Sequence, residues 1–352
     1  MAKKARFNKA LDRDLKSRVA LEQAGAVTRQ QFIAPSLGLA FILIVGLITS
    51  LFLGWNSQNV IIIAAAAIGA YMALNIGAND VANNVGPAVG ANALTMVGAL
   101  IIAAIFESAG ALLAGGDVVG TISKGIIDPS FVSDPKIFIW AMFAALLSAA
   151  IWVNLATWIG APVSTTHSIV GGVMGAGIAA AGIAAVNWPK MSQIAASWVI
   201  SPVLGGLIAA LFLWFIKSQV SDKQNKISAA RRWVPLLIAI MAGAFATYLS
   251  VKGLKKIVKI DLETALFIGA VTLALFYLIT RPLIRKQSEG MENTKKSVRS
   301  LFKIPLVFAA ALLSFAHGAN DVANAVGPLA AIVHTAQAGE VIAKVSIPIW
   351  VM

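Results

Sequence analysis

Asn79, Asp80 and Asn83 stand at the i, i+1 and i+4 spacing of one helical turn within Gly77-Ala78-Asn79-Asp80-Val81-Ala82-Asn83. The heptad returns unchanged as Gly318-Ala319-Asn320-Asp321-Val322-Ala323-Asn324. On a helix this spacing brings the polar side chains together. Carboxylate and amide oxygens are hard donors suited to Na⁺, so Asn79, Asp80, Asn320 and Asp321 are candidate ligands for that ion. Asp80 and Asp321 could equally carry a proton. Each copy follows an apolar run and continues into Val-Gly-Pro. An acid with two amides at membrane depth is costly unless it meets a cation, water or another polar group. A single copy could be a polar kink satisfied by neighbouring helices. Packing alone rarely demands the same string twice, so the pair reads as one ion-handling element used in two places. Pro87 and Pro328 remove a backbone donor just beyond each copy. They are predicted to end a half-helix there and so free backbone carbonyls for an ion.

A second polar segment, Pro162-Val163-Ser164-Thr165-Thr166-His167-Ser168, opens a run rich in glycine and alanine. Hydroxyls and unpaired N–H groups gathered at a helix start make an anion site. The alternative is an ordinary N-cap followed by a packing helix, for which Gly171-x-x-x-Gly175 is a familiar pattern. Beside the two Asn-Asp heptads the anion reading is favoured, with Ser164, Thr165 and Thr166 as donors. Uncharged donors also suit an anion that must be released. Glu107 lies in an apolar helix with no Lys or Arg nearby, which suggests cation or proton coupling over a hydrogen-bonded structural acid. Asp117, Thr121 and Lys124 read as interfacial. His167 and His317 adjoin the motifs and titrate near neutrality when unperturbed, but as isolated histidines they read first as hydrogen-bonded spectators.

The elements that must position these groups are membrane helices. Of the 352 residues, 59% are hydrophobic and only 12% charged, and apolar runs repeatedly reach the length needed to cross about 30 Å. Spans are expected at about 32–54, 59–78, 95–115, 137–158, 194–216, 233–251, 264–280 and 304–318. The stretch 161–186 is expected to be a re-entrant hairpin or a broken span. The net charge of +13 resides in the gaps between spans, so the positive-inside rule accounts for it and nucleic acid is not an expected partner. Residues 1–31 form a basic tail, expected in the cytoplasm, and 281–303 a basic cytoplasmic linker. Counting spans places that linker on the side of the tail only if 161–186 crosses once. The two heptads then lie on oppositely directed helices, the mark of an inverted-topology repeat. The gap from Lys252 to Lys259 is discordant, being basic yet outside in this scheme. There is no cysteine, which excludes disulfides, thiolate metal sites and cysteine nucleophiles. With three histidines and no nucleophile–base pairing, an enzyme is not indicated, and no continuous polar lining indicates a channel.

The duplicated heptad resembles the hallmark of the inorganic phosphate transporter family, the Pit-type permeases. Phe106-Glu107, Thr121-Ile-Ser-Lys-Gly-Ile126, Pro162-Val-Ser-Thr-Thr-His167 and Ser314-Phe-Ala-His-Gly318 extend the likeness over about residues 59–352. The resemblance implies an all-α polytopic protein of the cell membrane, a homodimer, that takes up phosphate with Na⁺, or with H⁺ as metal-phosphate. It implies that Asn79, Asp80, Asn83, Asn320, Asp321 and Asn324 form the cation and substrate centre and that Ser164, Thr165 and Thr166 hold phosphate. No cofactor beyond the co-transported ion is expected. Another tetrahedral oxyanion, sulfate above all, is the alternative substrate, distinguished by phosphate's ability to donate hydrogen bonds. The tail and the 32–54 span precede the resemblance and read as an accessory element. Residues 59–280 carry the first repeat and the spans after it, and 304–352 the start of the second. The family's second Pro-Val-Ser-Thr-Thr is not reached by Met352, so the second repeat is expected to be truncated and the 352-residue chain inactive in uptake.

Overall fold

The computed structural model describes residues 32–116, 125–128, 131–132, 134–253 and 260–341. The basic tail, Asp117, Thr121, Lys124, the lysines at 255, 256 and 259, and the last residues of the chain lie outside them. Among the described residues there is one isolated antiparallel bridge, Ile127 to Val186, and the rest of the regular structure is helical. The helices are α1 (Phe32–Leu53), α2 (Ser57–Gly90), α3 (Met96–Ala114), α4 (Pro135–Trp158), α5 (Thr165–Ala181), α6 (Trp188–Ile216), α7 (Lys226–Tyr248), α8 (Leu262–Gln287), α9 (Lys295–Leu301) and α10 (Lys303–Ala338). Eight of them, all but α5 and α9, are long and apolar enough to cross a membrane. The chain forms two compact units, one ending at Tyr71 and one starting at Met72.

Helix starts follow from short polar side chains that accept from the first free amides. Thr95 accepts from Gly98, Asp134 from Lys136, Ser164 from His167, Asn187 from Lys190 and Asn225 from Ser228. Asp261 accepts both the amide and the hydroxyl of Thr264, which hold its carboxyl below the usual range. Gly339 ends α10 in the left-handed region at φ 71°, and Gly160 at φ 73° turns the chain from α4 into α5, a conformation glycine enters without a Cβ penalty.

Close helix contacts rest on glycine, as expected where lipid supplies no hydrophobic drive between helices. A Cβ at Gly110 would overlap the carbonyl of Phe315, and one at Gly318 that of Glu107, so α3 and α10 meet backbone to backbone. Gly172 does the same for α5 against Ala145 of α4, and Gly243 with Gly269 for α7 against α8. Gly171 and Gly175, the glycines of the expected packing pattern, have nothing within 4 Å of a Cβ. The contact therefore falls one residue along. Helix α4 buries an aliphatic and aromatic face from Phe138 to Ala156, whereas α6 exposes Val203, Leu207, Leu211 and Trp214, as a lipid-facing helix does.

The two motif-bearing helices are continuous. Helix α2 runs past Pro87 to Gly90 and α10 runs past Pro328 to Ala338, so the expected stops at the Gly-Pro pairs are corrected. Pro87 falls in the last turn of α2, where little helix remains to break. Pro328 lies in an unbroken buried stretch from Ala323 to Val333, whose packing holds the helix through the missing hydrogen bond. The break in the helical run lies instead at residues 159–164, between α4 and α5. From there α5 leads back along α4, and its exit lies beside the chain that precedes α4: Asp128 donates to Ala185 O and Asn187 to Ile126 O, each at 2.9 Å. Helices α2 and α10 pass in opposite senses. Ala310 shares a cluster with Val85 and Ala88, while further along α10 Asp321 comes to the more N-terminal Asp80.

Candidate functional site

Both heptads close on the first turn of α5. The Thr165 hydroxyl lies 2.8 Å from Asp321 Oδ2 and 3.1 Å from Asp80 Oδ2. It has one proton for the two carboxylates. It also accepts from Asn324 Nδ2 at 3.2 Å, and the same amide reaches Thr166 Oγ1 at 3.1 Å. Thr165, Asp80 and Asn324 are buried. Asn79 fixes the approach to this turn: its amide donates to Thr157 Oγ1 at 2.9 Å and Ala161 O at 3.3 Å, while its oxygen accepts from Val163 N at 3.2 Å. One hairpin, α4–α5, is thus held by the third position of the first heptad and the seventh position of the second.

His317 stands one turn before Asp321 and faces three carboxylates. Its Nε2 is 3.2 Å from Asp321 and 3.7 Å from Asp80, and its Nδ1 is 3.3 Å from Glu107. Neither ring nitrogen is aligned for a hydrogen bond, and the contacts become ion pairs when the imidazole is protonated. Asn84 Nδ2 donates to Glu107 at 2.8 Å and ties α2 to α3. The centre therefore gathers three carboxylates against at most one imidazolium, and among the described residues no Lys or Arg is paired with them. Two like charges about 4 Å apart repel by about 4 kcal/mol at an effective dielectric of 20, an excess that a bound cation relieves. Asp80, His317 and Asp321 offer ligand atoms that all lie within 4.8 Å of one another. The buried Asn324 Oδ1 has no hydrogen-bond partner. The prolines add a further acceptor to each copy, since Pro87 and Pro328 give the carbonyls of Asn83 and Asn324 no i+4 donor.

Thus Asp80, Asp321, Glu107, Asn324, Thr165 and Thr166 are brought together, with Asn79 behind them. Asn83 and Asn320 are exposed, and the Asn320 amide turns back to Ala316 O of its own helix. Ser164 is exposed, and its oxygen serves the cap on His167 N. His167 lies against Trp198, ring centroids 4.0 Å apart. Sequence reasoning missed Asn84, which has no equivalent in the second copy, where Ala325 follows Asn324. It also undervalued His317, whose i, i+4 spacing to Asp321 placed both on one face.

Residues 76–352 match the Phosphate transporter family. The chain belongs to that family. It is 49% identical over 342 residues to a Helicobacter pylori protein described as "Putative phosphate permease", covering 96% of this chain and 64% of that one. A Pyrococcus abyssi protein of the same description is 40% identical over 287 residues, 81% of this chain and 70% of its own length. A solved structure described as "The sodium-dependent phosphate transporter" superposes with a TM-score of 0.78 at 38% identity, over 83% of this chain and 72% of that one. The chain thus spans less than two thirds of the length of the Helicobacter relative. Coverage of 96% there leaves too few residues outside the match to omit α1, so the residues of that helix fall at least in part within it. Membership of a transporter family, together with eight long apolar helices among the described residues, makes the chain a multi-pass membrane protein rather than an enzyme.

Proposed function

We propose that this chain carries the transport centre of a phosphate permease coupled to Na⁺. The observation that carries the reading is the convergence of Asp80 and Asp321, one from each heptad, on the Thr165 hydroxyl at the start of α5. An anion at that helix start would meet the free amides of the first turn and, close by, two carboxylates that repel it. A cation held between Asp80 and Asp321 reverses that repulsion, so cation and anion each favour the other's binding, as coupling requires. Na⁺ fits the oxygen set of Asp80, Asp321, Thr165 and Asn324 Oδ1, and the sodium-dependent relative supports the choice. An acceptor-rich site also favours phosphate over sulfate, because a protonated phosphate donates to a carboxylate and sulfate cannot.

The antiparallel passage of α2 and α10 supports an inverted repeat in which the heptads are pseudo-equivalent. Asn320 and Asn83 are then the counterparts of Asn79 and Asn324, which hold the Ser-Thr-Thr turn of α5. The deciding experiment is radiolabelled phosphate uptake into proteoliposomes of the complete gene product, with Na⁺ and H⁺ gradients imposed separately. Uptake driven by the Na⁺ gradient is expected. Uptake driven by the H⁺ gradient alone would move the coupling to the protonatable cluster, and no uptake under either would refute coupled transport.

A further inference from the structure

Away from the centre, a surface groove of about 450 Å³ runs between α7 and α8. Its walls are two matching i, i+1, i+4 ridges: Arg232, Trp233 and Leu236 from α7, and Leu273, Ala274 and Tyr277 from α8. Everything below the Arg232 guanidinium is apolar or aromatic apart from the Tyr277 hydroxyl. The groove lies toward the basic end of the helix pair, where α7 starts among Lys226, Arg231 and Arg232 and α8 ends in Arg281, Arg285 and Lys286. Neither helix has an acid near that end; the only one in either is Glu263, in the first turn of α8.

The two adjacent arginines are used differently. Arg231 is spent inside the protein, its Nε donating to Ser288 Oγ at 2.6 Å and its Nη2 to Ser288 O at 3.1 Å. Arg232 is exposed, forms no ion pair among the described residues, and lies 5.1 Å from the centroid of the Trp233 ring. The acids of the neighbouring loops, Asp222, Glu289 and Glu292, are themselves exposed to solvent. A guanidinium resting on an indole at the rim of an apolar groove complements a phospholipid, an anionic head above a hydrocarbon chain.

We propose that this groove binds one anionic phospholipid, with its headgroup phosphate on Arg232 and an acyl chain along Leu236, Leu273 and Ala274. Charge complementarity selects the occupant. A zwitterionic lipid gains less from an unpaired guanidinium flanked by further basic residues, and a free phosphate gains nothing from the apolar walls.

The test is native mass spectrometry of the full chain in detergent, supplemented with an equal mixture of phosphatidylglycerol and phosphatidylcholine. The phosphatidylglycerol adduct should dominate in the wild type. Arg232→Gln should lower the ratio of the two adducts about fivefold, the worth of one basic residue at a membrane surface. Arg299→Gln, exposed on α9 outside the groove, should leave the ratio unchanged. Should Arg232→Gln not yield folded protein, Leu236→Trp, which fills the groove and keeps the charge, should still remove the adduct. Excess inorganic phosphate should not displace the lipid. An unaltered ratio in Arg232→Gln, an equal loss in Arg299→Gln, retention in Leu236→Trp, or displacement by phosphate would each overturn the proposal.

Discussion

At the scale of single residues, function is assigned to groups that share one proton and one excess of negative charge. Thr165→Val keeps the shape of the first turn of α5 and removes a hydroxyl that contacts both aspartates. Phosphate affinity should fall about tenfold, as one or two lost hydrogen bonds at about 1 kcal/mol each imply, while Thr165→Ser should restore most of it. Equilibrium binding of radiolabelled phosphate to purified protein decides, and unchanged affinity in the valine variant would return this turn to a capping role. Glu107→Gln should weaken coupling less than loss of either aspartate does, because among the described residues it is His317 that stands between Glu107 and the pair. Repetition made Asp80 and Asp321 legible in the sequence, since the same acid twice is hard to ascribe to packing. It does not separate Asn83 and Asn320, which lie outside the cluster, from Asn79 and Asn324, because the α4–α5 hairpin grips different positions of the two copies. Asn84 and Thr157 were illegible, for their partners lie on helices distant in the chain.

Among the elements, the decisive contacts are those where two backbones meet over glycine. Gly318→Leu or Gly110→Leu would force α3 from α10 and separate Glu107 from His317. Such overpacking costs about 1 to 3 kcal/mol, so thermal unfolding in detergent should shift downward for either variant and stay near wild type for Gly175→Ala. The contrast is informative because Gly171 and Gly175 carry the recognisable sequence pattern, whereas Gly172 makes the contact. Sequence gives the period of a helix but not which face its neighbour takes. Pro328 teaches the same lesson. A proline is expected to end a helix by local rules, yet burial from Ala323 to Val333 carries α10 through it. Every expected span has a helix in the structure, because apolar runs of that length can satisfy their backbones in lipid only as helices.

For the whole molecule, the loop between α6 and α7 and the basic linker after α8 meet directly: Asn293 donates to Gln224 O at 2.6 Å and accepts from Lys226 N at 2.7 Å. The chain has no cysteine, so single cysteines at Gln224 and Asn293 can be probed with impermeant thiol reagents. Both should react from the cytoplasmic face, and reaction from opposite faces would break the topology. The central claim is that Asp80 and Asp321 act as one centre built from both heptads. It is tested most directly by Na⁺-driven phosphate uptake in proteoliposomes of the complete gene product carrying Asp80→Asn, Asp321→Asn or both. Each single variant should abolish coupled uptake with membrane insertion intact, and the double variant should be no worse than either, as groups acting as a unit require. Near-normal uptake by either single variant, or losses that simply multiply in the double, would contradict it.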